Sequence, residues 1–222
     1  MRFYNPSEVE TSYDGSLPWE TLYRSSKEET WARYLSNPFD PSQLELWWKL
    51  ALENVSWERK TKTRSSAWFV TNGCKCRYQY SGTVWSPTVW PGWLRKITNY
   101  VMEKIGWIEN HPNSCNVNLY EDGMDAVGWH CDDEELFQSK TNQAAIISLS
   151  LGSTRTFQFK HKRDNSKFEQ IKLKNGDILT MEGFFQKNFH HRILRDSTQT
   201  RPRINLTWRW IKKHEETCQK AQ

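Results

Sequence analysis

Ala144-Ala145-Ile146-Ile147-Ser148-Leu149-Ser150-Leu151-Gly152-Ser153-Thr154-Arg155-Thr156-Phe157-Gln158-Phe159-Lys160 is the stretch on which the architecture turns. Aliphatic and aromatic residues stand on either side of a Gly-Ser break, so residues 144–151 and 154–160 read as two strands. Four more strand-like runs follow at 168–173, 177–181, 190–194 and 204–211, divided by turn residues such as Lys174-Asn175-Gly176-Asp177. Upstream the pattern changes. Asp40-Pro41 supplies an N-cap and a first-turn proline, with Leu44, Trp47, Trp48, Ala51 and Leu52 at helical spacing through about Asn54. A second helix begins near Pro91, carries Trp93, Ile97, Tyr100, Val101 and Ile105, and stops at Gly106. Between the helices, residues 67–70 and 77–81 read as a hairpin or as two connected strands. Two helices followed by many short strands predict an α+β chain: an antiparallel barrel or two-sheet sandwich with helical support.

The 222 residues suit one domain, read as an N-terminal arm or cap (1–40), a core domain (41–213) and a C-terminal tail (214–222). Hydrophobic residues make up only 36%, but 13 Trp, 10 Phe and 8 Tyr provide bulk for a core. The net charge of +5 suits a polyanionic partner, or simply a solvated basic surface. The start has no apolar run, and no stretch is long and apolar enough for a membrane span, so a nuclear or cytoplasmic protein is expected. Five cysteines form no spaced framework and read as reduced thiols. Cys74-x-Cys76 has the look of half a zinc site, yet no second Cys/His pair at finger spacing is evident to complete it.

The chemistry is concentrated in Trp129-His130-Cys131-Asp132, where His130 and Asp132 alternate with Cys131 and face one side of an extended segment. A His-x-Asp pair needs a third ligand, and His190-His191 comes back 59 residues after Asp132 (191 − 132). By position alone either histidine serves. Two imidazoles and a carboxylate on one face of an ion leave the opposite positions open, which favours Fe(II) over zinc or magnesium. On the last strand Arg203, Asn205 and Arg209 are separated by even numbers and share a face. Two interior guanidinium groups would find a partner in a dicarboxylate.

These motifs, together with Asn118-Leu119-Tyr120, Asp133-Glu134, Met181-Glu182-Gly183 and Pro202-Arg203-Ile204-Asn205-Leu206-Thr207-Trp208-Arg209, resemble the AlkB family of Fe(II)- and 2-oxoglutarate-dependent dioxygenases over roughly residues 55–212. The animal-type members that repair methylated DNA and RNA bases are the nearest in pattern. The resemblance implies a double-stranded β-helix (jelly-roll) core, with His130, Asp132 and His191 holding Fe(II). It implies that Asn118, Tyr120, Arg203, Asn205 and Arg209 hold 2-oxoglutarate. It also selects His191 over His190, because in similar proteins the ligand lies twelve positions ahead of the first arginine of the last strand (203 − 12 = 191).

The resemblance further implies a substrate lid around Arg77-Tyr78-Gln79-Tyr80-Ser81-Gly82, in which Tyr78, with Tyr80 beside it, stacks on a flipped base. Glu134 would face the positive charge of N1-methyladenine or N3-methylcytosine. The implied reaction is oxidative demethylation of the base with O₂, releasing succinate, CO₂ and formaldehyde. The bland alternatives are a core role for the tyrosines and an exposed acidic run for Glu134. The basic segment 58–66 is shorter than its counterpart in the family, and single-stranded DNA or RNA is expected as the partner of a monomeric enzyme. Lys160, His161, Lys162 and Arg163 form a second basic stretch that could track phosphates or be a solvated turn. The rival readings are an RNA-modification eraser, an oxygenase acting on protein side chains, and a binding module without turnover.

Overall fold

The computed structural model describes residues 17–108, 110–216 and 218. Its strands are β1 (Glu20–Ser25), β2 (Thr30–Leu35), β3 (Ser65–Val70), β4 (Tyr78–Tyr80), β5 (Thr83–Trp85), β6 (Thr88–Val89), β7 (Ser114–Tyr120), β8 (Val127–His130), β9 (Ala144–Gly152), β10 (Arg155–His161), β11 (Phe168–Leu173), β12 (Ile178–Gly183), β13 (Phe189–Ile193) and β14 (Arg203–Arg209). The helices are α1 (Pro41–Asn54), α2 (Gly92–Lys104) and the single turn α3 (Phe185–Asn188). Eight strands form one sheet in the order β1-β2-β12-β9-β14-β7-β3-β6, four form a second in the order β11-β10-β13-β8, and β4-β5 is a separate hairpin. All pairings are antiparallel except β3 with β6. The mostly-β architecture fits the jelly roll of 2-oxoglutarate oxygenases.

The larger sheet lies between two apolar layers, and strict alternation along its strands assigns each side chain to one of them. On β14, Ile204, Leu206 and Trp208 join the core shared with α1 and α2, as do Ile147, Leu149 and Leu151 on β9. Helix α1 contributes Leu44, Trp47 and Ala51, and α2 contributes Leu94, Ile97, Val101 and Met102. Trp208 is fully buried and donates its indole N–H to Thr98 Oγ1 at 2.9 Å, so this large ring is packed without an unmet donor. The opposite residues of the same strands, Arg203, Asn205, Thr207 and Arg209 with Ser148 and Ser150, face the space between the sheets. A second apolar cluster that includes Phe157, Phe159, Leu179, Met181, Phe185 and Phe189 closes that space elsewhere.

Helix ends follow the expected chemistry with one difference. Asp40 sits at the N-cap of α1 in an extended conformation and Pro41 opens the helix, but the Asp40 side chain makes no capping bond; its carbonyl accepts from Gln43 and Leu44 N–H instead. Gly106 has φ +77° and donates its N–H to the Glu103 carbonyl, ending α2 by a left-handed turn that suits glycine.

Of the two readings left open for residues 67–70 and 77–81, the connected strands hold: β3 pairs with β7 and β6, while β4 pairs with β5. Two other expectations are corrected. The arm expected at 1–40 is in part sheet, because β1 and β2 extend the large sheet along β12. The Arg33–Glu182 ion pair, buried at 2.7 Å, ties this hairpin down, with Thr180 Oγ1 donating to the other Glu182 oxygen. Gly183 makes the close approach possible, since a Cβ there would lie 1.9 Å from the Glu29 carbonyl oxygen. Residues 1–16 of that stretch lie outside the described residues. Finally, the tail expected from 214 folds back onto the loop before β4, where Arg77 N–H donates to Glu215 Oε1 at 3.0 Å. No helix among the described residues is long and apolar enough to cross a membrane.

Candidate metal centre and substrate cavity

One cavity opens between the two sheets, and His130, Asp132, His191, Arg203 and Arg209 all line it. His130 ends β8 and pairs with His191 on β13 across the small sheet, which brings the imidazole centroids to 4.2 Å. Asp132 lies two residues beyond the strand, yet its Oδ1 stands 3.6 Å from His130 Nε2 and 3.8 Å from His191 Nε2. One ligand atom from each residue lies within 4.8 Å of the others, so the three could hold one ion. His190 pairs with Lys160 and is only partly buried, whereas His191 is buried and lines the cavity.

The surrounding bonds prepare these atoms for a metal. His130 Nδ1–H donates to the Gly128 carbonyl at 2.9 Å, leaving the lone pair on Nε2 turned toward Asp132. Burial lowers the pKa of both His130 and His191, which keeps them neutral and able to ligate. Burial would raise the Asp132 carboxyl, but the Arg209 guanidinium, followed by the two imidazoles, holds it well below the usual carboxylate range. Arg209 donates from Nε at 3.0 Å and from Nη2, both to Asp132 Oδ2, so Oδ1 stays on the histidine side. Asp132 N–H donates to Gln186 Oε1 at 2.9 Å, and Ser139 Oγ donates to the Asp132 carbonyl.

The residues expected at a dicarboxylate divide into two groups. Arg203 is fully buried and gives one N–H, from Nη2, to Ser150 Oγ at 2.8 Å; its Nε and Nη1 have no partner. Burial brings its pKa down to about 10, and its guanidinium lies 5.3 Å from the Tyr120 ring centroid. Unmet donors on a buried cation fit a carboxylate ligand. Arg209 differs from expectation, because Asp132 already occupies the guanidinium edge that a dicarboxylate was to fill. Asn205 Nδ2 donates to Ser148 Oγ and to the Leu149 carbonyl, while its Oδ1 accepts from Thr207 Oγ1. Asn118 Oδ1 accepts from Arg64 Nε and Ser66 Oγ, each at 2.8 Å. Tyr120 lines the cavity beneath Arg203, Arg155 and Arg64.

Tyr78, expected to stack on a base, lines the cavity and is packed among aromatic rings: its ring stacks on Trp68 at 5.1 Å and meets Trp85 and Phe137 at 5.7 and 6.2 Å. Its hydroxyl donates to Glu134 Oε1 at 2.7 Å. Tyr80 is only partly buried, lines the cavity, and lies edge-on to His130 at 5.7 Å with the Arg64 guanidinium 5.9 Å from its ring. Glu134 is not in the exposed acidic run: burial, reinforced by the Asp132 charge, pushes its carboxyl up to about 7. Cys131 is half-buried, its thiol raised to about 11 by burial, and it accepts from Lys162 Nζ at 3.3 Å. Within the second basic stretch, Lys162 also donates to the Gln186 carbonyl, and Lys160 stands over Trp129.

Sequence reasoning missed Arg64 and Gln186 as parts of the site, and Arg155 as its frame. Arg155 spends its guanidinium on the carbonyls of Asp122, Gly123, Asp125 and Leu194, binding the loop after β7 to the end of β13. Arg64 was visible only as one charge in a basic segment, and Gln186 follows no spacing rule.

Residues 31–209 match the family described as "2OG-Fe(II) oxygenase superfamily". The human protein named alpha-ketoglutarate-dependent dioxygenase alkB homolog 3 is 32% identical over 179 residues, covering 72% of this chain and 58% of that protein. The human DNA oxidative demethylase ALKBH2 is 30% identical over 141 residues, covering 60% of this chain and 52% of that protein. The chain thus spans between half and three fifths of the length of these curated relatives. A solved structure titled "The structure of OsALKBH1" superimposes with a TM-score of 0.59 at 17% identity, covering 86% of this chain and all of that one, which is a likeness of fold. With 179 of its residues inside the family match, the chain belongs to the 2OG-Fe(II) oxygenase superfamily, and the curated relatives it is similar to there are AlkB homologues.

Proposed function

We propose that the chain is an oxidative demethylase of N-alkylated nucleobases in DNA or RNA, acting as a monomer in the nucleus or cytoplasm. The observation that carries this reading is the convergence, in one cavity, of a His-Asp-His set and an Arg203 guanidinium with two unmet donors. Relatives named as a dioxygenase and a DNA oxidative demethylase support the reaction class.

His130 Nε2, Asp132 Oδ1 and His191 Nε2 are the ligands proposed for Fe(II), and Arg203, with Tyr120, Asn118 and Asn205 around it, is the seat proposed for 2-oxoglutarate. Iron and the keto acid together would supply O₂ activation, with decarboxylation to succinate, at the open face of the ion. The protein's own part is positional. Arg209 fixes the Asp132 carboxylate through one oxygen and leaves the other for the metal. Arg203 keeps donors at Nε and Nη1, on either side of the Nη2 that holds Ser150, for a carboxylate, a set of directions that lysine could not reproduce. Tyr80 presents an aromatic surface at the cavity for a base outside its stack, and Arg64 beside it can meet a phosphate or the base edge. Glu134, held by the Tyr78 hydroxyl of the cavity lining, keeps one oxygen, Oε2, without a partner, and a cationic methylated base nearby would favour its ionised form.

The test is a reaction with Fe(II), 2-oxoglutarate and O₂ on oligonucleotides carrying N1-methyladenine or N3-methylcytosine, followed by mass spectrometry with Asp132→Ala as control. The expected result is loss of one methyl mass, dependent on iron and keto acid and absent in the control. Turnover of 2-oxoglutarate with every methylated base intact would keep the oxygenase and remove the substrate, pointing to another base modification or a protein side chain. Consumption of neither would leave a binding module.

A further inference from the structure

A second group of metal-ligating side chains lies apart from the cavity, where the loop after β3 meets the C-terminal segment. Cys74, Cys76, His214 and Cys218 each offer one ligand atom, and all four atoms lie within 4.8 Å of one another. We propose that these four residues bind one Zn²⁺ as a structural Cys₃His site. The assignment does not depend on the reaction proposed for the cavity.

The distances are those of a tetrahedron. With Zn–S near 2.3 Å and Zn–N near 2.0–2.1 Å, the edges of a tetrahedral site are about 3.8 Å between sulfurs and about 3.6 Å between sulfur and nitrogen. His214 Nδ1 stands 3.7 Å from Cys74 Sγ, 3.5 Å from Cys76 Sγ and 3.3 Å from Cys218 Sγ, and the Cys76 and Cys218 sulfurs are 3.6 Å apart. A disulfide would need about 2.05 Å, and all these cysteines are free. One imidazole nitrogen faces three sulfurs, which have few good ways to satisfy one another but share a soft divalent cation readily.

The backbone reinforces the arrangement. Lys75 N–H donates to Cys218 Sγ at 3.2 Å and Glu215 N–H donates to Cys76 Sγ at 3.3 Å, bonds that stabilise sulfur carrying negative charge. Trp68 Nε1 donates to the Cys76 carbonyl at 2.8 Å, and Cys74 N–H donates to the Thr71 carbonyl, so the loop is shaped before any ion enters. On the other side, Lys212 and Lys213 N–H both donate to the Leu136 carbonyl, and Cys218 N–H donates to Glu215 O. Four protein ligands close a tetrahedral shell and leave no position for substrate, which makes the role structural. The sequence contains the second pair as His214-x-x-x-Cys218, but 137 positions of chain (214 − 77) separate it from the end of the first loop, and no periodicity links them.

The ion would tie the C-terminal segment to Cys76, two residues ahead of β4, whose last residue is Tyr80 at the cavity. The hairpin that carries the cavity's aromatic would then be anchored at its base by a metal, not by sheet pairing, since β4 pairs only with β5 among the described residues.

The experiment is metal analysis of the full chain produced with zinc supplied and freed of weakly held ions by citrate. About one zinc per chain is expected, released stoichiometrically as an organomercurial titrates the thiols. Cys76→Ser and Cys218→Ser should each reduce the zinc content to near zero, and Cys131→Ser should leave it unchanged. Cobalt(II) in place of zinc should give the sulfur-to-metal charge transfer and strong visible bands of a tetrahedral thiolate site, a readout that needs no variant. Zinc-free protein, or a Cys76–Cys218 disulfide, would overturn the proposal. So would zinc that survives Cys76→Ser, or zinc that leaves with His130→Ala and therefore sat in the cavity.

Discussion

Two clusters of side chains that could hold a metal ion stand among the described residues, and they differ in what their neighbours leave open. His130, Asp132 and His191 are mixed nitrogen and oxygen donors on one side of a cavity, backed by Arg209 and Gln186 and facing the unmet donors of Arg203. Cys74, Cys76, His214 and Cys218 turn their ligand atoms toward one another, with backbone N–H groups behind the Cys76 and Cys218 sulfurs. A three-sided set leaves room for chemistry; a four-sided set spends every position on holding the chain together. The difference teaches that a ligand's identity alone does not define its role, because histidine, the one residue type common to both clusters, serves opposite purposes according to how many directions the fold leaves free.

The largest effects should separate the two clusters. His130→Ala should lower 2-oxoglutarate turnover on the order of 10³-fold or more, since a metal that activates its ligand is worth several kcal/mol, while leaving the melting temperature nearly in place. Asp132→Asn should lose the same turnover and, in addition, about 3–5 kcal/mol of stability, because it leaves the buried Arg209 charge without its partner. Comparable melting curves for the two variants would show that the Arg209–Asp132 pair does not matter to the fold.

Metal removal should distinguish the clusters next. A mild chelator should strip the three-sided site and stop turnover with little change in thermal stability. Stripping the four-sided site should require a stronger chelator or a mercurial and should lower the melting temperature, because metal binding there is coupled to folding. A single chelator titration that lowers activity and stability together would erase the distinction.

Arg203→Ala should raise KM for 2-oxoglutarate about 10–100-fold, the range for charge-assisted hydrogen bonds, with a smaller change in metal affinity. Gln186→Ala should weaken iron binding by about tenfold through loss of the bond that fixes Asp132. The smallest contrast lies between the tyrosines. Tyr80→Ala should weaken oligonucleotide binding by about 1–3 kcal/mol, whereas Tyr78→Phe should act through Glu134 with little effect on base stacking. Equal losses of oligonucleotide affinity in the two variants would show that the Tyr78–Glu134 hydrogen bond matters to binding as much as the Tyr80 ring.

The two helices, the six strands after residue 143, the choice of a His-x-Asp pair and the even spacing of Arg203, Asn205 and Arg209 were all readable in the chain. Each rests on a local period, 3.6 for helices and two for strands, which a short window contains in full. Even the two-layer core follows from it: on β14, alternation alone sends Ile204, Leu206 and Trp208 one way and Arg203, Asn205 and Arg209 the other. Tertiary structure decided whatever depends on which distant segments become neighbours. It paired β1 and β2 onto the large sheet beside the Arg33–Glu182 pair, gave Arg209 to Asp132, and stacked Tyr78 on Trp68 in the cavity wall beside the more exposed Tyr80. It also brought His214 and Cys218 to Cys74 and Cys76. Such contacts carry no local signature, because their free energy comes from shared burial and from electrostatic partners that sequence separation neither encodes nor limits.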